Sequence, residues 1–221
     1  LSLGLPPDRV FFTPYTVDTA RFTLTPEDAA AARAEQRAAL KLDDATPLIL
    51  FVGKLQAVKQ PERLLSAYAA LRAAGTRAAL AFAGDGELLP RLREAAASVP
   101  DVHFLGFLNQ SQLPRLYPAA DLFVLPSHSE TFGLVLIEAM LAGLPIIASD
   151  GVGCAEDLVT PDTGLTFPRA DTAALTAALS TLCGDAALRE RLSAGARARV
   201  ATWTYERATD GLLAALDTVR S

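Results

Sequence analysis

Pro126-Ser127-His128-Ser129-Glu130-Thr131-Phe132-Gly133-Leu134-Val135-Leu136-Ile137-Glu138-Ala139-Met140 places one carboxylate in a polar loop and a second inside an apolar run. Leu122 to Pro126 reads as a strand, and the stretch from about Gly133 to Ala142 as a helix. From Leu134 to Leu144 every residue is apolar or Gly except Glu138, and a helix that is apolar all round belongs inside a protein. An unpaired carboxylate is costly there, so Glu138 must meet a donor or shift its pKa. A structural ion pair with Lys or Arg is the plain alternative. Glu130 lies just before the helix, where backbone N–H groups are free and the macrodipole is positive. Alone, it need only complement that dipole, and a phosphate group would be equally welcome there. With Phe132-Gly133 between them, the two carboxylates read as an anion and polyol site at the carboxyl edge of a sheet.

Working outward, strands and helices alternate. Leu48 to Gly53 is a short apolar run, followed by helical spacing over Pro61 to Ala74. Ala78 to Gly84 and Glu87 to Ala97 repeat the pattern, and Val102 to Gly106 is a third strand followed by a short helix at Gln112 to Tyr117. Pro145 to Ser149 and Gly164 to Phe167 complete a set of six. Near-continuous apolar strands predict an α/β fold: a Rossmann-like parallel sheet with helices on both faces. Ligands on such sheets bind beyond the strands' carboxyl ends, where Gly53, Gly84, Gly106 and Glu130 all fall.

Outside this core, Val10 to Tyr15 reads as a strand entering the domain. Thr25 caps a helix that has Pro26 in its first turn and runs to about Leu40. From Asp171 the chain is helical, broken near Gly184 and Trp203, and the arginines between Arg189 and Arg199 read as a solvated helix face. A chain of 221 residues can bury one good core. Its apolar runs are too short to span a membrane, and Leu1 to Pro7 lacks the features of a signal peptide, so a cytoplasmic location is expected with no membrane contact visible. Cys154 and Cys183 are too few for a disulfide framework and read as small buried hydrophobes. A net charge of −5 argues against nucleic acid as the main ligand. Gly151-Val152-Gly153 lacks the third Gly and the helix opening of a dinucleotide fingerprint, so no NAD is expected.

The motif Ser-x-x-Glu-Thr-Phe-Gly-x-x-x-x-Glu-Ala, with Glu130 and Glu138, resembles the glutamate pair of the retaining glycosyltransferases of family 4, or group 1. Phe51 to Leu55 with Lys59 resembles that family's diphosphate-binding strand and loop, and Ala83-Gly84-Asp85-Gly86 its second strand end. Val102 to Leu108 resembles the strand and loop near the base, and Asp150 to Phe167, with Glu156 and Gly164, the closing loop. The likeness covers about residues 10–183. Lys54 stands where the family commonly has Arg, keeping the charge without the bidentate fork, and Gln60 replaces a frequent Gly.

That resemblance implies the C-terminal, donor-binding half of a two-domain GT-B enzyme. Residues 1–24 are then an interdomain lead-in, 25–185 the nucleotide-sugar (donor) domain, and 186–221 a C-terminal helical extension. It implies Lys54 and Lys59 on the departing diphosphate, with backbone groups of Thr131, Phe132, Gly133 and Leu134 beside them. Glu130 would accept from hydroxyls of the donor sugar, making Glu130, Lys54 and Lys59 the catalytic set. Glu138 would accept from the ribose hydroxyls, and Gly53, Gly84, Phe107 and Leu108 would flank the nucleotide. No Asp-x-Asp triplet occurs, so no metal is expected, and no cofactor beyond the donor substrate. The acceptor domain is expected to be absent from this chain. Leu1 to Asp8 reads as the tail of a preceding helix and loop, as in an excised domain or one subunit of a split enzyme. Two other functions fit the same residues: a nucleotide-sugar epimerase-like domain, and a non-catalytic nucleotide-sugar-binding module.

Overall fold

Among the described residues, six strands pair entirely in parallel: β1 (Leu48–Val52), β2 (Ala79–Ala83), β3 (Val102–Gly106), β4 (Leu122–Leu125), β5 (Ile146–Ser149) and β6 (Gly164–Phe167). Their spatial order is β3-β2-β1-β4-β5-β6. The computed structural model that shows this describes residues 4 and 6–220. Each strand falls within the apolar run that announced it. Alternate side chains explain why those runs are continuous. Leu48, Leu50 and Val52 face one apolar core while Ile49 and Phe51 face the other, so no position of β1 meets water.

The helices are α1 (Thr19–Phe22), α2 (Pro26–Ala39), α3 (Pro61–Ala73), α4 (Leu89–Ala96), α5 (Leu113–Leu116), α6 (Leu134–Leu141), α7 (Ala155–Leu158), α8 (Thr172–Gly184), α9 (Ala186–Val200) and α10 (Tyr205–Arg220). Leu64, Tyr68 and Leu71 of α3 pack with Leu175, Leu179 and Leu182 of α8 over one face of the sheet. Leu136, Ile137, Ala139 and Met140 of α6 join Leu116 and Tyr117 over the other. Thr25 caps α2 as expected, its hydroxyl oxygen accepting from Asp28 N–H at 3.1 Å.

A buried ion cluster ties α2 to the sheet, and the sequence did not announce it. Arg33 and Arg37, one turn apart on α2, both reach Asp121, at 2.8 and 3.1 Å. Arg37 is 2% exposed and also donates to Ala119 O at 2.9 Å and Thr46 O at 2.6 Å. Asp121 in turn accepts the N–H of Leu48, the first residue of the central strand β1, at 2.7 Å.

One expectation needs correction and a second needs extending. Val10 to Tyr15 forms no strand. Instead Phe12 sets its ring edge-on to Trp203 at 5.3 Å, and a side chain at Gly211 of α10 would strike Phe12 O at 2.1 Å. The segment is thus held by the C-terminal helices rather than by the sheet. The α9 arginines form a largely exposed face as expected, but three of the four also have structural roles. Arg189 donates to Leu182 O and Cys183 O, Arg197 to Ala142 O, and Arg199 to Asp157 O, which seals the carboxyl ends of α8, α6 and α7. The reading of Leu1 to Asp8 falls partly outside the described residues; Pro7–Arg9 form one turn of 3-10 helix. Both cysteines are buried and unpaired, and burial pushes each thiol up to about 12. No helix among the described residues is long and apolar enough to cross a membrane.

Candidate functional site

The strand order reverses direction between β1 and β4, and the loops after these strands open a crevice at the sheet's carboxyl edge. Backbone hydrogen bonds tie four loops together there. Leu55 N–H donates to Asp85 O at 2.9 Å and Leu88 N–H to Leu55 O at 3.0 Å, joining the loops after β1 and β2. His128 N–H donates to Val58 O at 2.8 Å, joining those after β1 and β4. Glu130 N–H donates to Gly151 O, Gly153 N–H to Glu130 O and Cys154 N–H to Phe132 O, which binds the glutamate loop to the loop after β5. Gly153 is required by that closeness, since a Cβ there would lie 2.2 Å from Thr131 O. The Gly151-Val152-Gly153 stretch, which from sequence only failed as a dinucleotide fingerprint, is a clamp on the Glu130 loop.

Gly53, Lys54, Gly84, Phe107 and Leu108 line one cavity of about 500 Å³ beyond β1, β2 and β3, together with Gln56, Asp85, Gly86 and Leu113. Gly84 allows the ends of β1 and β2 to approach closely at its wall: a Cβ there would fall 1.9 Å from Gly53 O, at a φ of +148°. Phe107 is 76% exposed at the cavity's rim. Lys54 is exposed and has no ion-pair partner among the described residues. Gln56 and Leu113 were not foreseen, as neither belongs to a recognisable motif.

Lys59 and Glu130 form a second group. Their side chains make an ion pair, three-quarters or more shielded from water on both sides. Lys59 ends a single 3-10 turn (Ala57–Lys59) whose exit residue, Gln60, sits in the left-handed region at φ 55°. Glycine is at ease there, whereas Gln60 is held by its amide on Ala57 O and by Arg63 on its oxygen. Beside this pair α6 begins without a side-chain cap, at Gly133. The backbone N–H groups of Phe132, Gly133, Leu134 and Val135 have no acceptor among the described residues. Four unpaired donors and a positive helix end give this corner the character of an anion site. Thr131 and Leu134 are exposed, whereas Phe132 turns inward between Tyr15, at 5.0 Å, and Trp203, at 6.1 Å.

Glu138 does not line the cavity after β1–β3. It is buried on α6, 8% exposed, and has no Lys or Arg partner among the described residues. Burial raises its carboxyl pKa above the usual range, and the Tyr117 hydroxyl, which donates to Oε2 at 2.6 Å, pulls it partly back. The same burial, with Glu138 beside it, drives the Tyr117 hydroxyl well above its usual value, so it remains a donor. The structural ion pair considered from sequence is therefore replaced by a neutral donor, which leaves the carboxylate with hydrogen-bonding capacity to offer.

The family model for glycosyl transferases group 1 matches residues 32–199. The D-inositol 3-phosphate glycosyltransferase of Salinispora arenicola is 36% identical over 219 residues, covering 94% of this chain and 49% of that protein. Sucrose-phosphate synthase from Thermosynechococcus elongatus superposes with a TM-score of 0.77 at 29% identity, over 95% of this chain and 53% of its own. HepE from Anabaena, solved in complex with UDP, shares the fold with a TM-score of 0.78 at 21% identity, over 93% and 57% of the two chains. The chain thus spans about half the length of the curated relatives it matches. A six-stranded parallel sheet, a crevice at its switch point and a family match over most of the length agree: this chain belongs to the group 1 glycosyl transferases.

Proposed function

We propose that this chain is the donor-binding half of a retaining glycosyltransferase, taking a nucleoside-diphosphate sugar, with the acceptor bound by a part of the enzyme outside this sequence. The observation that carries the reading is the meeting of Lys59, Glu130 and the uncapped start of α6 at the switch point. A departing diphosphate develops negative charge, and fixed donors aimed at such charge are the large electrostatic term in catalysis. Lys59 and the α6 N–H groups supply those donors, and Lys54 adds a second cation at the cavity's edge. The 500 Å³ cavity suits the base, and Glu138, outside its lining, suits the ribose. Glu130 is left for the sugar. The base stays open, because the lining residues Gln56, Asp85 and Phe107 favour no single pattern of donors and acceptors.

A thermal-shift screen against UDP, GDP and ADP tests this directly. A nucleotide at 100 times its Kd should stabilise the chain by about 2.7 kcal/mol. Trp203, the sole tryptophan, packs on Phe132 inside the glutamate loop, so the same titration should change its emission. The chain alone should bind nucleotide and transfer almost no sugar. No stabilisation by any of the three, or robust transfer by the isolated chain, would overturn the reading. In a full-length parent, release of free epimerised nucleotide sugar in place of a glycosylated acceptor would replace it with an epimerase.

A further inference from the structure

Tyr117 has no exposed surface, yet its one polar atom is directed at a carboxylate. Three elements fix its ring. Phe22 of α1 meets it edge-on at 6.1 Å, Phe123 of β4 lies tilted at 6.1 Å, and the turn after α5 carries its backbone. A side chain held this firmly donates along one direction only. It satisfies Oε2 of Glu138 at 2.6 Å, while Oε1 has no partner among the described residues and is absent from the fully buried polar atoms that lack one. Oε1 thus keeps some accessible surface, and a carboxylate on a buried helix with one oxygen fixed and the other accessible can receive a hydroxyl donor. Moreover α5, which leads directly into Tyr117, contributes Leu113 to the 500 Å³ cavity.

We propose that Tyr117 is a positioning residue for nucleotide recognition: its hydroxyl holds one oxygen of Glu138 so that the other is presented to the vicinal hydroxyls of the ribose. The inference rests on the reading of Glu138 as the ribose acceptor. It also accounts for a hydroxyl in a site that Phe would fill equally well, between two phenylalanine rings. Its contribution is orientation and charge. Without this donor the buried carboxylate leans further toward its neutral form, which accepts weaker hydrogen bonds.

The test is calorimetry of the 221-residue chain and of Tyr117→Phe, Glu138→Gln and the double variant, using UDP, GDP and ADP, each beside its 2′,3′-dideoxy analogue. The chain should prefer the ribonucleotide by roughly tenfold, as expected for hydrogen bonds to a charged acceptor. Tyr117→Phe should remove most of that preference and leave the dideoxy analogue's affinity unchanged. Adding Tyr117→Phe to Glu138→Gln should change the preference no further. That comparison also survives if the single Tyr117→Phe variant folds poorly, because the double variant buries no unpaired charge. A Tyr117→Phe chain with its full ribose preference, or one that loses both ligands equally, overturns the positioning role while the Glu138 reading stands. A parent chain that binds nucleotide without distinguishing ribose from dideoxyribose instead removes the Glu138 reading, and the role of Tyr117 with it.

Discussion

Asp121→Ala is expected to destabilise the chain by about 3–5 kcal/mol, the usual cost of removing one partner from a buried ion pair. The reason is what remains behind. Arg37 would keep its carbonyl contacts on Ala119 and Thr46 but lose its close counter-charge in the interior. Asp44 lies 3.6 Å from Arg37 Nε and is almost fully exposed, so it compensates little. Arg33 would lose its carboxylate contact at 2.8 Å as well. The N–H of Leu48, at the head of β1, would lose its acceptor in a place water does not reach. Since β1 is the strand from which both halves of the sheet extend, its loosening should act on the whole fold. Asp121→Asn keeps an acceptor for Leu48 and loses only the charge, so it should cost less. Urea midpoints of the three chains at constant slope check this, and an Asp121→Ala midpoint within about 0.5 kcal/mol of the parent would show that the cluster is ornamental.

Why this cluster was invisible in sequence while the sheet was not is a matter of range. Strands such as Leu48–Val52 and Leu122–Leu125 declare themselves through local composition, because a parallel strand covered on both faces must be apolar at every position. Asp121 and Arg37 lie 84 positions apart, and nothing local says that they meet. Lys59 and Glu130 were each legible as charges in loops after strand ends, yet their pairing spans 71 positions and depended on strands β1 and β4 being neighbours. Tyr117 looked like the end of an amphipathic turn, since its hydroxyl has meaning only once α6 is laid beside it. Val10 to Tyr15 misled in the opposite way. Its apolar and aromatic residues match a strand, but Phe12 and Tyr15 instead set their rings against Trp203 and Phe132. Local pattern therefore determined the layers, and long-range polar contacts determined which side chains the crevice presents.

The Lys59–Glu130 contact sets up the sharpest functional expectation, because it makes two neutralising substitutions act in opposite directions. In the free chain the Lys59 ammonium is already compensated by Glu130 in a partly shielded site. A diphosphate arriving there must compete with that carboxylate for the ammonium, and it meets the carboxylate's repulsion as well. Lys59→Ala removes the cation and leaves Glu130 facing the phosphates, so the affinity for nucleoside diphosphate should fall by about ten- to a hundredfold, the equivalent of roughly 1.5–3 kcal/mol. Glu130→Gln releases Lys59 to the diphosphate and should tighten binding of the bare nucleotide about threefold or more at low salt, with the gain shrinking as ionic strength rises. In a full-length parent the same Glu130→Gln change should depress sugar transfer, because the group left to hold the sugar hydroxyls has lost its charge. Lys54, exposed and without an ion-pair partner among the described residues, should matter less than Lys59 and fade faster with salt. Titrations of the variants with UDP, GDP and ADP at two salt concentrations separate these cases. Parallel losses in Lys59→Ala and Glu130→Gln would mean that the ion pair braces the loops as a unit and that the phosphates bind elsewhere, whereas opposite shifts would identify the pair as the place where the diphosphate and the protein's own carboxylate compete for one cation.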